Sequence, residues 1–128
     1  MLRRLLIRLA CYGGLALPIL ACGGSGGATC LGWVEDDQGV RHTPESGTEN
    51  REEAQRFACN SYCREADPQY DAMYRVWLDS PAGDPSVTKD QAIFRDDGLL
   101  QYVTVTCANR CLSEVAAGTR RGGVECEE

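Results

Sequence analysis

Two cysteine pairs with the same spacing constrain this chain more than any other feature. Cys59 and Cys63 are four residues apart, and so are Cys107 and Cys111. On a helix, residues four apart lie on one face, one turn along. Two such pairs on antiparallel helices meet rung to rung, which favours Cys59 with Cys111 and Cys63 with Cys107. Cysteines four apart on one regular helix sit too far apart to bridge each other. The spacing therefore predicts two helices stapled together, one over residues 49–66 and one over residues 99–117.

Local signals agree with that layout. Asn50 and Glu53 have capping-box spacing, and Ser46 with Glu49 offers an earlier start. Ala58, Cys59, Tyr62, Cys63 and Ala66 then fall on one face, while Phe57 lies on the far side and needs a second contact. Asp67-Pro68 reads as an N-cap followed by proline in the first helical position. Tyr70, Met73, Tyr74, Trp77 and Leu78 recur at helical spacing after it. This stripe is either core or a partner-binding face, because Tyr, Trp and Met are residues that interfaces favour. Tyr70, Tyr74 and Trp77 are the candidate contacts.

Pro81, Gly83 and Pro85 make residues 79–88 a surface loop. Thr88 and Gln91 open a short helix through Arg95, which Asp96-Asp97-Gly98 ends. Leu100, Val103, Cys107, Cys111 and Val115 share a helical face, and Gly118 suits a C-terminal cap. The run Tyr102-Val103-Thr104-Val105-Thr106 is rich in β-branched residues and would also suit a strand. A helix explains the second cysteine pair and is the reading adopted. Residues 30–45 read as irregular, with a short hairpin turning at Asp37-Gln38-Gly39 and Trp33 as a packing residue. Residues 118–128 read as a polar, glycine-rich tail held only by Cys126. No internal repeat is present.

The N-terminus carries a different signal. Arg3, Arg4 and Arg8 accompany a mostly apolar stretch, residues 9–20, that is short for a membrane span. It ends in Ile19-Leu20-Ala21-Cys22-Gly23. This resembles the signal peptide and lipobox of a bacterial lipoprotein. The resemblance covers residues 1–23 and implies that residues 1–21 are cleaved after Ala21. Cys22 then becomes the lipidated N-terminus, carrying acyl chains such as palmitate. Ile19 stands where leucine is more usual, and Leu20 where Ala or Ser is. An ordinary secretory signal cut near Ala21 or Ala28, or an uncleaved anchor, would also export the chain. Residues 22–29 then form the lipidated cysteine and a glycine-rich tether, with a reach of roughly 15 Å. Gly23 in place of Asp implies, by the sorting rule of enteric bacteria, an outer-membrane destination.

With Cys11 lost in the leader and Cys22 lipidated, six cysteines remain. An even number in a small exported domain argues for three disulfides, and elimination pairs Cys30 with Cys126. The rival is a zinc ion held by four thiolates. Structural zinc ligands more often come as Cys-x-x-Cys, and exported thiols oxidise, so no metal is expected. The twin motifs also resemble those that staple the helical hairpin of small coiled-coil-helix proteins of mitochondrial import. That likeness covers two five-residue segments, here separated by 43 residues, and is a shared stapling solution.

The expected fold class is thus mainly α: a small disulfide-stapled helical domain over residues 30–128, with a short β-hairpin near its start. Residues 22–128 hold 10 basic against 19 acidic residues, a net charge of −9. That charge repels nucleic acid and anionic headgroups. His42 is the only histidine and, among Gly, Pro and Thr residues, is expected to be solvent-exposed. No nucleophile elbow, phosphate-binding loop, dinucleotide fingerprint or EF-hand spacing appears. The chain reads as a non-enzymatic protein without cofactor. It is expected to be lipid-anchored to the cell envelope and to bind an unknown envelope protein or serve a structural role. A stapled inhibitor or immunity-like factor acting through the 79–88 loop is the alternative. An enzyme using carboxylates is the third reading, and a pocket gathering three or more polar side chains would favour it.

Overall fold

A computed structural model describes residues 29–127. The leader, Cys22 and nearly all of the tether lie outside the described residues. Thr29, expected in the tether, is instead the first residue of a strand.

That strand, β1 (Thr29–Glu35), is the middle of a three-stranded antiparallel sheet. On one side it pairs with β2 (Arg41–His42) through a hairpin. The Asp36 carboxylate accepts the backbone N–H groups of Gln38 and Val40, both at 2.9 Å, and so folds the turn. Gly39 takes the left-handed conformation that the turn requires, with φ of 82°. On its other side β1 pairs with β3 (Gly122–Glu127).

Strand β3 corrects the expectation of a loose tail at residues 118–128. Its alternation, Val124-Glu125-Cys126-Glu127, is short and follows two glycines. Its pairing rests on backbone groups, in a register that sets Cys126 directly opposite Cys30. Those two cysteines are bonded.

The helical layer packs against the sheet. Helix α1 (Arg51–Glu65) starts at Asn50, whose side chain accepts from the N–H groups of Glu52 and Glu53. Only half of the capping box forms, because Glu53 takes the Thr48 hydroxyl instead. Helix α2 (Pro68–Leu78) starts at Asp67, which accepts from the N–H of Tyr70 at 3.0 Å. The Thr88–Gln91 segment leads into one 3₁₀ turn (Ala92–Phe94) rather than a helix through Arg95. Asp96 does not end a helix there but begins one: its carboxylate accepts from Leu99 N–H and caps α3 (Asp97–Gln101).

From α3 the chain runs without a break through a π-helical segment (Tyr102–Cys107) into α4 (Ala108–Ala117). The β-branched run does not form a strand. It lies in the widened turn, where Thr104 donates its hydroxyl to the Leu100 carbonyl at 2.7 Å. Gly118, at φ of 78°, ends α4 as the sequence predicts.

The staple is the one that spacing predicts. Cys59 is bonded to Cys111, and Cys63 to Cys107. Opposed order along the two helices makes them antiparallel. All four cysteines are fully buried, with Ala58, Tyr62, Tyr70, Val103 and Ala108 in the same core. The fold is therefore a mainly α domain stapled twice between helices and once across its small sheet. Three disulfides suit an oxidising, extracytoplasmic compartment. No helix among the described residues is long and apolar enough to cross a membrane.

Candidate functional site

The aromatic stripe of α2 is not the exposed face that binding through Tyr70, Tyr74 and Trp77 would need. Tyr70 and Trp77 are buried and Tyr74 is half-buried. The Tyr70 hydroxyl donates to Lys89 O at 2.5 Å and the Tyr74 hydroxyl to Val87 O at 2.9 Å. Burial raises the Tyr70 pKa to about 12, so it remains a hydrogen-bond donor. The stripe holds down the end of the 79–88 loop and Lys89 just after it, and Val87 is buried.

The free surface of α2 lies one face over. Gln69, Ala72, Met73, Val76, Trp77 and Ser80 line a groove of about 440 Å³, closed on its other side by Asp96, Gly98 and Leu99. Gln69, Ala72, Met73, Val76 and Trp77 of α2 follow the i, i+3, i+4, i+7 pattern of an amphipathic helix. Val76 is 73% exposed, the most exposed large apolar side chain among the described residues. Trp77 forms part of the wall, and its indole N–H has no hydrogen-bond partner among the described residues. Ala72 and Val76 are small and aliphatic, and the aromatic neighbours concealed them as signals in the sequence.

A second hollow, about 670 Å³, lies between α1 and α4 and gathers five polar residues with Leu112, Val115 and Ala116. Most of those polar groups are already engaged. Asn50 caps α1, Glu53 accepts from Thr48, and Gln55 donates to Trp33 O. Arg56 donates to Thr104 O and to Asn109. These bonds position the helices, while the hollow does gather the three or more polar side chains that the third reading asks for. A smaller hollow of about 250 Å³ lies beside Phe57 and Phe94. Phe57, expected to need a second contact, is instead 37% exposed at its edge.

His42 overturns its expectation. It is 7% exposed, not solvent-facing. Its Nε2 lies 2.8 Å from Asp36 Oδ2 and its Nδ1 lies 2.9 Å from Glu65 Oε2. Burial pulls its pKa down, but the hydrogen bonds from Asp36 and Glu65 outweigh that and raise it overall. Both ring nitrogens then donate, so the clamp wants the imidazolium. The Asp36 carboxyl is held low, first by His42 and then by the Val40 N–H. The partners flank the ring from opposite edges, which makes a clamp between the hairpin and the end of α1. Among the described residues no group of three or more His, Cys, Asp or Glu side chains is placed to hold a metal ion.

No protein-family model matches this chain, and neither a curated protein nor a solved structure matches it.

Proposed function

We propose that this chain is an exported, lipid-anchored envelope protein that docks another protein through the groove between α2 and α3. The observation that carries the docking is the exposed pair Ala72 and Val76, with half-buried Met73 on the same helical face, beside Trp77. An apolar stripe at that spacing is what a partner helix lies against. Gln69, Ser80 and Asp96 supply a polar rim that orients such a partner. The anchoring rests on the basic start, the short apolar run and Ile19-Leu20-Ala21-Cys22. Three disulfides are consistent with export. Acylated Cys22 would hold the domain near the bilayer, with the outer membrane as the destination Gly23 permits.

The role is non-enzymatic and cofactor-free in this reading. The inhibitor alternative depends on the 79–88 loop, and the burial of Val87 and the bond from Tyr74 give that loop a packing role. A photoreactive residue placed at position 76 and, as a control, at exposed position 125 tests the docking in intact cells. One discrete adduct from position 76 alone is expected. Equal adducts from both positions, or none from 76, would remove the groove from the proposal. Fatty-acid labelling of the chain, lost in Cys22→Ser, tests the anchor separately.

A further inference from the structure

We infer that the Cys30–Cys126 bridge is an exchange site for an external dithiol, with Cys126 as the sulfur that is attacked, while the two bridges between the helices are permanent. The exchange goes beyond docking and holds whether or not the α2–α3 groove takes a partner.

Access separates the three bridges. Cys59, Cys63, Cys107 and Cys111 are all 0% exposed, so no thiol reaches them in the folded chain. The Cys30–Cys126 bridge has one covered end and one open end. Cys30 is 2% exposed, whereas Cys126 is half-buried on β3, a strand at the edge of the sheet. Attack on a disulfide needs a path to one sulfur, and exposed bridges are the labile ones.

Charge singles out the same sulfur. Arg51, exposed in the first turn of α1, donates from Nη1 to Cys126 Sγ at 3.1 Å and from Nη2 to Val124 O at 3.2 Å. A guanidinium beside a sulfur favours the thiolate. Cys107 also receives a guanidinium, from Arg110 at 3.3 Å. That one is paired with the Asp67 carboxylate at 2.7 Å, and its sulfur is buried. Access and charge therefore meet at Cys126 and at no other cysteine among the described residues.

The exchange runs in two steps. One thiolate of the dithiol attacks Cys126 Sγ and forms a mixed disulfide. The Cys30–Cys126 bond breaks, and its electron pair stays on Cys30 Sγ, which takes up a proton. The second thiolate of the dithiol then attacks its own partner sulfur in the mixed disulfide. This closes the external disulfide and expels Cys126 as a thiolate beside Arg51, and a stabilised thiolate leaves faster. Two electrons pass from the dithiol, which is oxidised, to the bridge, which is reduced. Strand β3 keeps its backbone pairing with β1, and the helical staple is untouched, so the fold survives.

The test treats the exported Cys22→Ser chain with graded dithiothreitol, followed by an acid quench, alkylation and peptide mapping. Cys30 and Cys126 should open together at concentrations about tenfold below those that open the other two bridges. Glutathione, a monothiol, should leave its adduct on Cys126. Arg51→Gln should slow the opening about threefold, and Arg51→Lys should restore it. A purely structural Arg51 would act the other way, since loosening β3 would speed the opening. Six thiols appearing together would overturn the proposal, as would a helical bridge opening first or a glutathione adduct on Cys30. Unchanged or faster opening in Arg51→Gln would equally overturn it.

Discussion

The Tyr102 hydroxyl donates to the Asp67 carboxylate at 2.5 Å, tying the π-helical segment to the residue that starts α2. Asp67 is 4% exposed, and it also accepts from Tyr70 N–H and from Arg110 at 2.7 Å. A buried carboxylate is tolerable only when donors surround it, and here three elements supply them. Burial, and then the bond to Asp67, raises the Tyr102 pKa to about 12.

This hub sets the first prediction. Tyr102→Phe removes one donor and should cost about 1 kcal/mol. Asp67→Ala removes the cap and strands the tyrosine hydroxyl, and should cost about 3 kcal/mol. The double variant should fall short of the sum, because both single changes lose the same bond. Urea midpoints at constant slope measure all three. Strict additivity would mean that Asp67 and Tyr102 do not act together.

The His42 clamp predicts a pH window. The His42 pKa is raised above its ordinary 6.5, so its contribution is complete below pH 6.5 and is lost as pH rises through the folded value. The Asp36 pKa is lowered below 3.8, so its contribution is complete above pH 3.8 and is lost as pH falls through the folded value. Between those limits the clamp is closed. Tm of the native chain should decline above pH 6.5 more steeply than that of His42→Gln. Parallel curves for the two proteins would show that the clamp does not contribute.

Gly32 is where β1 lies closest to α1. A Cβ there would meet the Ala54 carbonyl oxygen at 2.2 Å, and that oxygen is backbone and cannot swing aside. Gly32→Ala should therefore destabilise by about 3 kcal/mol or more, which thermal unfolding would record. A near-neutral Gly32→Ala would mean that the sheet and α1 can slide apart.

The disulfides predict a thiol count. The unfolded but unreduced Cys22→Ser chain, exported and processed, should show no free thiol. Peptide mapping should return Cys30–Cys126, Cys59–Cys111 and Cys63–Cys107. Replacing Cys63 and Cys107 together by serine should cost about 2–5 kcal/mol. Four reactive thiols would break the staple.

Val76 and Val34 separate surface from core. Val76→Asp should leave stability within about 0.5 kcal/mol, because the side chain is exposed. Val34→Ala, at a fully buried position, should cost about 2 kcal/mol. Co-isolation of a partner with the native chain but not with Val76→Asp would check the groove, with chemical denaturation as the control on folding.

What the sequence determined by itself was local or periodic. Asn50, Asp67 and Gly118 act on backbone groups within a few residues, so their roles as caps are legible in order. The four-residue cysteine spacing carried a long-range pairing because helical geometry converts it into a face. The tertiary structure alone decided the rest. His42 is buried because Glu65 reaches it from 23 residues away and the hairpin returns Asp36 to its other edge. The tail becomes β3 because β1 offers it unpaired backbone groups. The open face of α2 is Ala72 and Val76, not Tyr70 and Trp77, because periodicity shows that a helix has an apolar face but not which neighbours arrive to cover it. That choice belongs to packing, and packing is a property of the whole chain.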